Sequence, residues 1–250
     1  MRLLSAGFRR GCGIRGEGGP GSNSAYNIGM TVGSRIVEDG EEVDLPSSFS
    51  RFGLVWRGKY KWAEACDTPI RRIFQIRYLK GNTAVLSWGL SLSFLPVLQG
   101  SRLVYHRTAR SARLDVREEP RDFRASFSSP TRFEYINCSE EFFRSSFAKY
   151  LIRITPEAVG WFERVRSLED VEHELERQAL NKDWAYRIRS PKPAFVLAFV
   201  KASRGDLKTA EQLLLRSVPE GIDPDMPAGL KLSLTRTASQ CGSKALTRLS

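Results

Sequence analysis

The clearest pattern in the chain is an alternation of large apolar and small residues between Thr83 and Leu95. One face of this run carries Ala84, Leu86, Trp88, Leu90, Leu92 and Phe94, and the other carries Thr83, Ser87, Gly89, Ser91 and Ser93. A period of two predicts a β-strand whose large side chains, among them Trp88 and Phe94, belong to a core. The small face is left to water, or to another segment that approaches closely at Gly89.

Shorter strand-like runs surround this strand and are separated by turn residues. They cover residues 52–62, 70–79, 102–106 and 111–116, with turns at 80–82 and 99–101. Consecutive strands at hairpin spacing are typical of an antiparallel meander. We therefore expect one antiparallel sheet over about residues 50–127.

The hydrophobic period changes from that of a strand to that of a helix after about residue 139. Helices are expected over residues 139–154, from a new start at Thr155-Pro156-Glu157, from residue 168, and over residues 191–205 and 206–218. The last two resemble one helix–turn–helix unit of a tetratricopeptide-type repeat, which cannot bury its own apolar face. The predicted fold class is α+β, with an N-terminal antiparallel β-meander packed against C-terminal helices at about residues 139–218.

The two ends of the chain are expected to lie outside this single domain of residues 31–220. Residues 1–30 are basic and glycine-rich, which predicts a flexible basic leader, either a targeting segment or the product of an upstream start codon. No acid follows Asp225, so residues 221–250 are predicted to be a mobile basic tail.

Charge and composition narrow the possible partners. The chain has 39 lysines and arginines against 28 acids, a net charge of +11, which favours an acidic protein or a nucleic acid as partner. No apolar run approaches the roughly 20 residues of a membrane-spanning helix, so no membrane partner is expected. The four cysteines form no C-x-x-C pair and there are only two histidines, so neither a metal nor another cofactor is predicted. Without a secretory signal, such cysteines are typical of a cytoplasmic protein.

Cations concentrate in the predicted sheet. No acid lies between Asp67 and Asp115, and this stretch contains Arg71, Arg72, Arg77, Lys80, Arg102, Arg107, Arg110 and Arg113. The sheet is therefore predicted to be the electropositive part of the molecule. The alternative is a solvated basic face that pairs with the acidic helix at residues 169–176.

The densest group of polar and basic side chains occupies residues 105–113. It supplies an imidazole, arginines and a hydroxyl, and its candidate anion-binding or partner-binding residues are His106, Arg107, Thr108, Arg110 and Arg113. Arginine forks together with hydroxyl groups bind phosphates and carboxylates. The sequence therefore predicts an anion-binding site in this segment.

Catalytic residues are harder to assign. The sequence contains no recognised nucleophile or metalloprotease motif, and Glu118-Glu119 beside Pro120 is expected in a surface turn. Asp115 lies close enough in sequence to pair with Arg113 or His106, and a pair with His106 would be an acid–base couple. An enzyme is kept as an alternative, and no catalytic residue is assigned.

One stretch of the chain resembles a known group of proteins. Residues 87–96 read SWGLSLSFLP, and YHRT at 105–108 and SARLD at 111–115 follow. This order resembles a group of uncharacterised bacterial proteins that carry a domain of unknown function, in which a W-G-x-S-L-x-F-x-P strand precedes H-R-T and S-A-R-x-D. The resemblance covers about residues 50–120 and departs from the group's pattern at Val97, where a polar residue is expected. It implies no activity, substrate or catalytic residue.

The sequence favours a non-enzymatic intracellular binding or interaction protein whose contact surface is the basic sheet. The first alternative is a nucleic-acid-associated protein that uses the same arginines. The second is a small-molecule enzyme built around His106, Arg107 and Asp115. Steep salt dependence is the mark of nucleic-acid binding, and a concave pocket with His106 beside a carboxylate is the mark of an enzyme.

Overall fold

The structure is a computed structural model that describes residues 44–65, 68–79, 83–99, 102–106, 108–125, 133–134, 139–187, 189–217 and 225–242. Its strands are β1 (Leu54–Trp56), β2 (Lys61–Glu64), β3 (Ile70–Tyr78), β4 (Thr83–Leu92), β5 (Pro96–Gln99), β6 (Arg102–Tyr105), β7 (Val116–Glu118) and β8 (Phe133–Glu134). A 3-10 helix (Ser47–Phe52) precedes them, and the α-helices are α1 (Arg121–Ala125), α2 (Glu140–Arg164), α3 (Leu168–Leu180), α4 (Trp184–Arg187), α5 (Pro193–Ser203), α6 (Leu207–Ser217) and α7 (Asp225–Gly242). The predicted leader and Arg107 lie outside the described residues.

The main sheet is antiparallel, and its strands follow the order β1-β2-β3-β4-β7, with β8 also paired to β4. The long strands β3 and β4 form its centre. The α+β prediction is confirmed, because the sheet comes first and the long helices follow it. The meander is interrupted, however. The hairpin β5–β6 forms a separate two-stranded sheet, and the expected strand at 111–116 begins only at Val116.

Both faces of β4 are covered. Trp88 lies in the main core together with most of the large apolar side chains of the sheet, as the alternation predicts. The small face is buried as well, and Ser87 and Ser91 are fully enclosed, so the expectation of a wetted face is wrong. The reason is a second, smaller core on this side of the sheet, formed by Ala63, Ile73, Ala112 and Leu114.

The close approach predicted at Gly89 is confirmed. A Cβ atom at this position would lie 1.8 Å from the carbonyl oxygen of Val116. The backbone of β7 is therefore packed against β4 at a distance that only glycine permits. Leu90 continues the contact, because its carbonyl accepts a hydrogen bond of 2.8 Å from the N–H of Asp115.

Helix α2 runs without a break through Pro156, so the new helix expected at Thr155 is a wrong prediction. The Thr155 hydroxyl does not cap a new helix. It donates a 2.7 Å hydrogen bond back to the carbonyl of Leu151. Ile154 and Ala158 are both buried, so the same apolar stripe packs against the core before and after the proline. This packing outweighs the backbone hydrogen bond that proline cannot donate.

Helix α3 begins where the sequence predicts, and α5 and α6 begin within two residues of their predicted starts, whereas the short helices α1 and α4 were not predicted. Ser167 and Asp170 form a capping box at the start of α3. Helix α5 is buried on nearly all sides, because α3, α6 and α7 pack around it. The helix pair that resembles a repeat unit is thus covered by neighbouring helices. No helix in the described parts of the chain is long and apolar enough to cross a lipid bilayer.

Helix α7 corrects the prediction of a mobile tail for residues 225–242, the part of the predicted tail that the structure describes. Leu230 and Leu234 are buried against the core, and α7 packs on α5 and α6. The hydroxyl of Tyr105 also lies 3.0 Å from that of Ser233. A leucine pair at helical spacing is enough to dock the segment, although it lacks the acids that marked the earlier helices.

Candidate functional site

The predicted site residues lie around a tight turn that follows β6. Thr108 and Ser111 form this turn through four mutual hydrogen bonds, in which each hydroxyl accepts from the other residue's backbone N–H. The N–H of Ala112 adds a 2.9 Å bond to the Thr108 carbonyl. The Thr108 hydroxyl therefore shapes the turn, and its contact with an anion stays a prediction.

Lys61 holds this turn against the sheet. Its ammonium group donates hydrogen bonds of 3.0 Å to the carbonyl of Arg110 and 2.7 Å to the carbonyl of Ala112. Burial first and the nearby Arg57 second lower the pKa of Lys61. The two cations come from the β1–β2 hairpin, where the alternation of Arg57, Lys59 and Lys61 was the one sequence signal that pointed to them.

His106 is half-buried beside the turn. Its Nε2 atom is enclosed and makes no hydrogen bond. Burial is the main reason that its pKa is lowered, and the charges of Arg113 and Lys61 add to the effect, while the backbone of Ser111 opposes it. The imidazole is therefore neutral at pH 7, and it gains a charge only in more acidic solution.

Arg113 carries the one ion pair of the turn with a carboxylate in the described structure. Its Nε lies 3.2 Å from Oδ1 of Asp115, and the other carboxylate oxygen accepts a 2.8 Å hydrogen bond from the N–H of Leu92. Burial raises the pKa of Asp115 to about 7, although Leu92, Arg113 and Ser91 all act in the opposite direction. Asp115 pairs with Arg113 and not with His106, so the predicted acid–base couple is not formed.

Cations therefore outnumber carboxylates around the turn. We call this group the basic patch, and its members are Arg57, Lys61, His106, Arg110 and Arg113. Three of the predicted residues, His106, Arg110 and Arg113, are brought together by the structure. The charge of Arg110 is exposed to solvent.

Other arginines of the predicted basic sheet lie inside the molecule. Arg71 and Arg72 are only 1% and 4% exposed. Arg72 forms an ion pair of 2.6 Å with the buried Glu64, which also accepts its backbone N–H. The sheet itself is thus not a basic surface at these positions, because both of its faces are covered. Among the described cations of this region, Arg110 of the turn and Lys59 of the β1–β2 hairpin are exposed to solvent.

A second group of charges surrounds Glu118 and Glu119 at the end of β7. The prediction of a surface turn is wrong, because the two residues are 3% and 0% exposed. Glu119 accepts from Arg77, lies 2.8 Å from Nε of Arg117, and accepts a 2.8 Å bond from Arg189. Burial alone would raise the pKa of Glu119, but these three guanidinium groups outweigh it, and the pKa is lowered.

Glu118 has a different set of partners. Its carboxylate lies 2.6 Å from Arg177 and 3.2 Å from Arg124, and it accepts a 2.8 Å hydrogen bond from the Tyr186 hydroxyl. Burial raises the pKa of Glu118 despite these cations. Glu174 is the third carboxylate of the group and also binds Arg177, at 2.6 Å. We call the whole group the arginine–glutamate cluster.

Two grooves on the described part of the surface lie elsewhere. One groove of about 300 Å³ runs along α2 between Leu45 and Phe147, and another of about 330 Å³ lies between Pro46 and Trp56. Neither groove contains His106 or Asp115. In the described residues, no group of three or more histidine, cysteine or acidic side chains is arranged to hold a metal ion.

Comparison of the chain with protein-family models, with curated proteins and with solved structures finds no match. The function must therefore be argued from the basic patch and the arginine–glutamate cluster themselves.

Proposed function

We propose that this chain is a non-catalytic binding protein whose basic patch binds an acidic segment of a partner protein. The observation that supports the proposal is the charge imbalance around the turn. Burial first and neighbouring cations second lower the pKa values of Lys61 and His106. Only the buried Asp115 pairs with a patch residue in the described structure. A carboxylate from a partner would relieve this repulsion and engage the guanidinium forks.

The choice of an acidic protein over a nucleic acid rests on where the aromatic rings lie. Trp62, Phe74 and Trp88 of the central strands are all buried in the main core. These three rings offer no surface on which unpaired bases stack, and such stacking supplies much of the affinity of single-strand binders. Tyr78 at the end of β3 is 38% exposed, but one ring does not form the row of stacking surfaces that successive bases need. Carboxylates require only the arginines. Nucleic acid remains the alternative partner, and it is an outcome of the experiment below.

The proposal is non-catalytic because the groups of the enzyme alternative are not arranged for proton transfer. The Asp115 carboxylate is occupied by Arg113 and by the N–H of Leu92. The grooves described above lie away from His106. The proposed function requires no cofactor.

Fluorescence anisotropy with labelled polyglutamate, DNA, RNA and polyphosphate, at about 50 and 200 mM salt, tests the proposal. The variant Arg110→Ala/Arg113→Ala removes two charges from the patch. We expect it to bind polyglutamate at least about tenfold more weakly than the wild type, since each charge-assisted hydrogen bond contributes about 1.5–3 kcal/mol. Circular dichroism confirms that the variant is folded.

The matched control is Lys208→Ala/Arg216→Ala, which removes the same charge from exposed positions on α6. Polyglutamate binding is expected to stay at the wild-type level in this control. If both double variants lose polyglutamate affinity equally, binding depends only on the net charge of the protein, and the proposal is contradicted. Tighter, steeply salt-dependent binding of DNA or RNA that depends on Arg110 and Arg113 would replace the acidic protein by a nucleic acid.

We also propose that the protein works in the cytoplasm. Its cysteines, Cys12, Cys66, Cys138 and Cys241, are widely spaced and form no redox motif. Thiol titration of protein purified without reductant is expected to find free thiols. Two disulfides would place the protein in an oxidising compartment instead.

A further inference from the structure

The arginine–glutamate cluster contains more positive than negative charge. In the described residues it consists of five guanidinium groups, from Arg77, Arg117, Arg124, Arg177 and Arg189, against the carboxylates of Glu118, Glu119 and Glu174. This leaves an excess of two positive charges. Burial raises the pKa of the Tyr186 phenol, so this group is neutral and does not reduce the excess. Salt bridges within the cluster therefore do not neutralise it.

The cluster also has more hydrogen-bond donors than acceptors. The Nε–H groups of Arg124 and Arg189 are buried and have no acceptor. Arg189 is a side chain with only 3% exposure, so water does not freely replace the missing acceptor. Buried polar groups are nearly always satisfied, and exceptions are associated with sites that bind water or ions. This observation is independent of the charge balance, and it also favours a ligand that supplies hydrogen-bond acceptors.

Two of the arginines form a preformed pair that solvent can reach. A terminal nitrogen of Arg124 lies 2.9 Å from the Tyr186 hydroxyl, and one of Arg177 lies 3.1 Å from the same oxygen. Both also contact the same oxygen of Glu118. The side chains of Arg177 and Arg124 are 43% and 18% exposed, so their outer edges are accessible.

We propose that the Arg124–Arg177 pair binds an oxyanion of the phosphate class, either free phosphate or a phosphate monoester. Phosphate at pH 7 carries between one and two negative charges and presents several acceptor oxygens, which match the excess charge and the unsatisfied donors of the cluster. One edge of Arg177 is held by Glu174, so the anion is expected at the remaining edge of Arg177 and at Arg124. Glu118 and Tyr186 offset the repulsion between the two arginines and hold both side chains in place before the anion binds. The site shares no residue with the basic patch, so it stands independently of the proposed function.

Isothermal titration of the full chain with inorganic phosphate tests this site, in chloride buffer of constant ionic strength. We expect saturable binding of one phosphate per chain. Adenosine monophosphate and phosphoserine, titrated separately, distinguish a monoester from free phosphate. A ligand that binds the folded state is also expected to raise the melting temperature with its concentration.

The variant Arg177→Gln is expected to weaken phosphate binding at least about tenfold, because a charged fork is lost. The matched control is Arg153→Gln, which removes an exposed arginine from a one-to-one pair with Asp122 and should leave phosphate binding unchanged. The basic-patch variant Arg110→Ala/Arg113→Ala should also bind phosphate normally. Phosphate binding that depends on the patch would overturn the assignment to the cluster.

A conservative variant guards against a loss that comes only from unfolding. Arg124→Lys keeps the positive charge and removes the planar fork, so it should keep a near-wild-type melting temperature and still bind phosphate several-fold more weakly. Absence of saturable phosphate binding to the wild type, or wild-type phosphate affinity in both Arg124→Lys and Arg177→Gln, would overturn the proposal.

Discussion

The basic patch and the arginine–glutamate cluster are both rich in arginine, but they differ in what surrounds the charge. In the cluster, Glu118 and Glu119 are buried and each contacts three guanidinium groups. In the patch, Lys61 donates to backbone carbonyls, Arg110 is exposed, and Arg113 shares one carboxylate. The same type of residue therefore serves two purposes.

The difference teaches which charges the fold depends on. Arginines of the cluster come from β3, β7, α1, α3 and the segment before α5, so their carboxylates tie helices to the sheet. Cations of the patch come from two neighbouring surface segments and connect no helix to the sheet. Changes to the buried carboxylates of the cluster should act mainly on stability, and changes to the exposed cations of the patch should act mainly on binding.

The largest effect is expected from Glu119→Gln. This change keeps the shape of the side chain but leaves Arg77, Arg117 and Arg189 without their shared buried carboxylate. Breaking a buried charge pair in this way costs about 3–5 kcal/mol. Guanidinium-induced unfolding measures the loss, and polyglutamate binding by the folded fraction should not change.

An exposed pair provides the comparison for that value. Asp122→Asn removes a carboxylate from the ion pair with Arg153, in which both side chains are about half exposed. The expected loss is below about 1 kcal/mol. If Glu119→Gln costs no more than Asp122→Asn, the cluster does not hold the fold together and the contrast drawn above fails.

The next effect concerns the strand that joins the two regions. Gly89→Ala places a methyl group against the Val116 carbonyl and must displace β7, at a cost of about 1–3 kcal/mol. Asp115 and Glu118 flank this point, so both polyglutamate binding and stability should fall together. Hydrogen exchange of the β7 amides should show the displacement directly. Wild-type exchange rates in β7 would contradict it.

The sequence predicts contacts within a segment far better than contacts between segments. The alternation around Trp88 predicts β4, and the tight spacing of His106, Arg110 and Arg113 predicts the patch, because their neighbours are close in the chain. Lys61 was missed because its carbonyl partner at Arg110 is 49 residues away. The cluster was missed for the same reason, since Glu118 and Arg189 are 71 residues apart. From sequence alone, a charged run such as Arg117-Glu118-Glu119 predicts an exposed segment, because the distant arginines that pair with it inside the protein are not visible in the local pattern.

A smaller effect is expected from Lys61→Met. The change removes the two hydrogen bonds that fix the carbonyls of Arg110 and Ala112, while burial of the ammonium group, which lowers its pKa, partly offsets the loss. We expect about 1–2 kcal/mol of destabilisation and weaker polyglutamate binding, because the turn is no longer held in place. Lys59→Met, at an exposed position in the same hairpin, should change neither quantity. Similar effects of the two variants would mean that Lys61 acts through charge alone.

The smallest effect is a dependence of patch binding on pH. Burial raises the pKa of Asp115 to about 7, so its carboxyl group loses its charge as the pH falls from 8 to 6 and no longer neutralises Arg113. Polyglutamate, which stays ionised in this range, should therefore bind about two- to fivefold more tightly at pH 6. The pKa of His106 is lowered from the usual 6.5, first by burial, so any charge that this imidazole gains at the acidic end of the window adds to the same effect.

Titration of the Asp115 carboxyl group also makes the stability of the protein depend on pH. A carboxyl whose folded pKa is raised from 3.8 to about 7 binds its proton more tightly in the folded than in the unfolded chain. Its contribution to the free energy of unfolding therefore falls as the pH rises from 3.8 to about 7, and it is constant at higher pH. Asp115→Asn cannot titrate, so it should flatten both this slope and the pH dependence of polyglutamate binding. If polyglutamate binding strengthens equally from pH 8 to 6 in Asp115→Asn and in the wild type, a group other than Asp115 controls the charge of the patch. Protonation of Asp115 would then not be what frees Arg113 to bind polyglutamate.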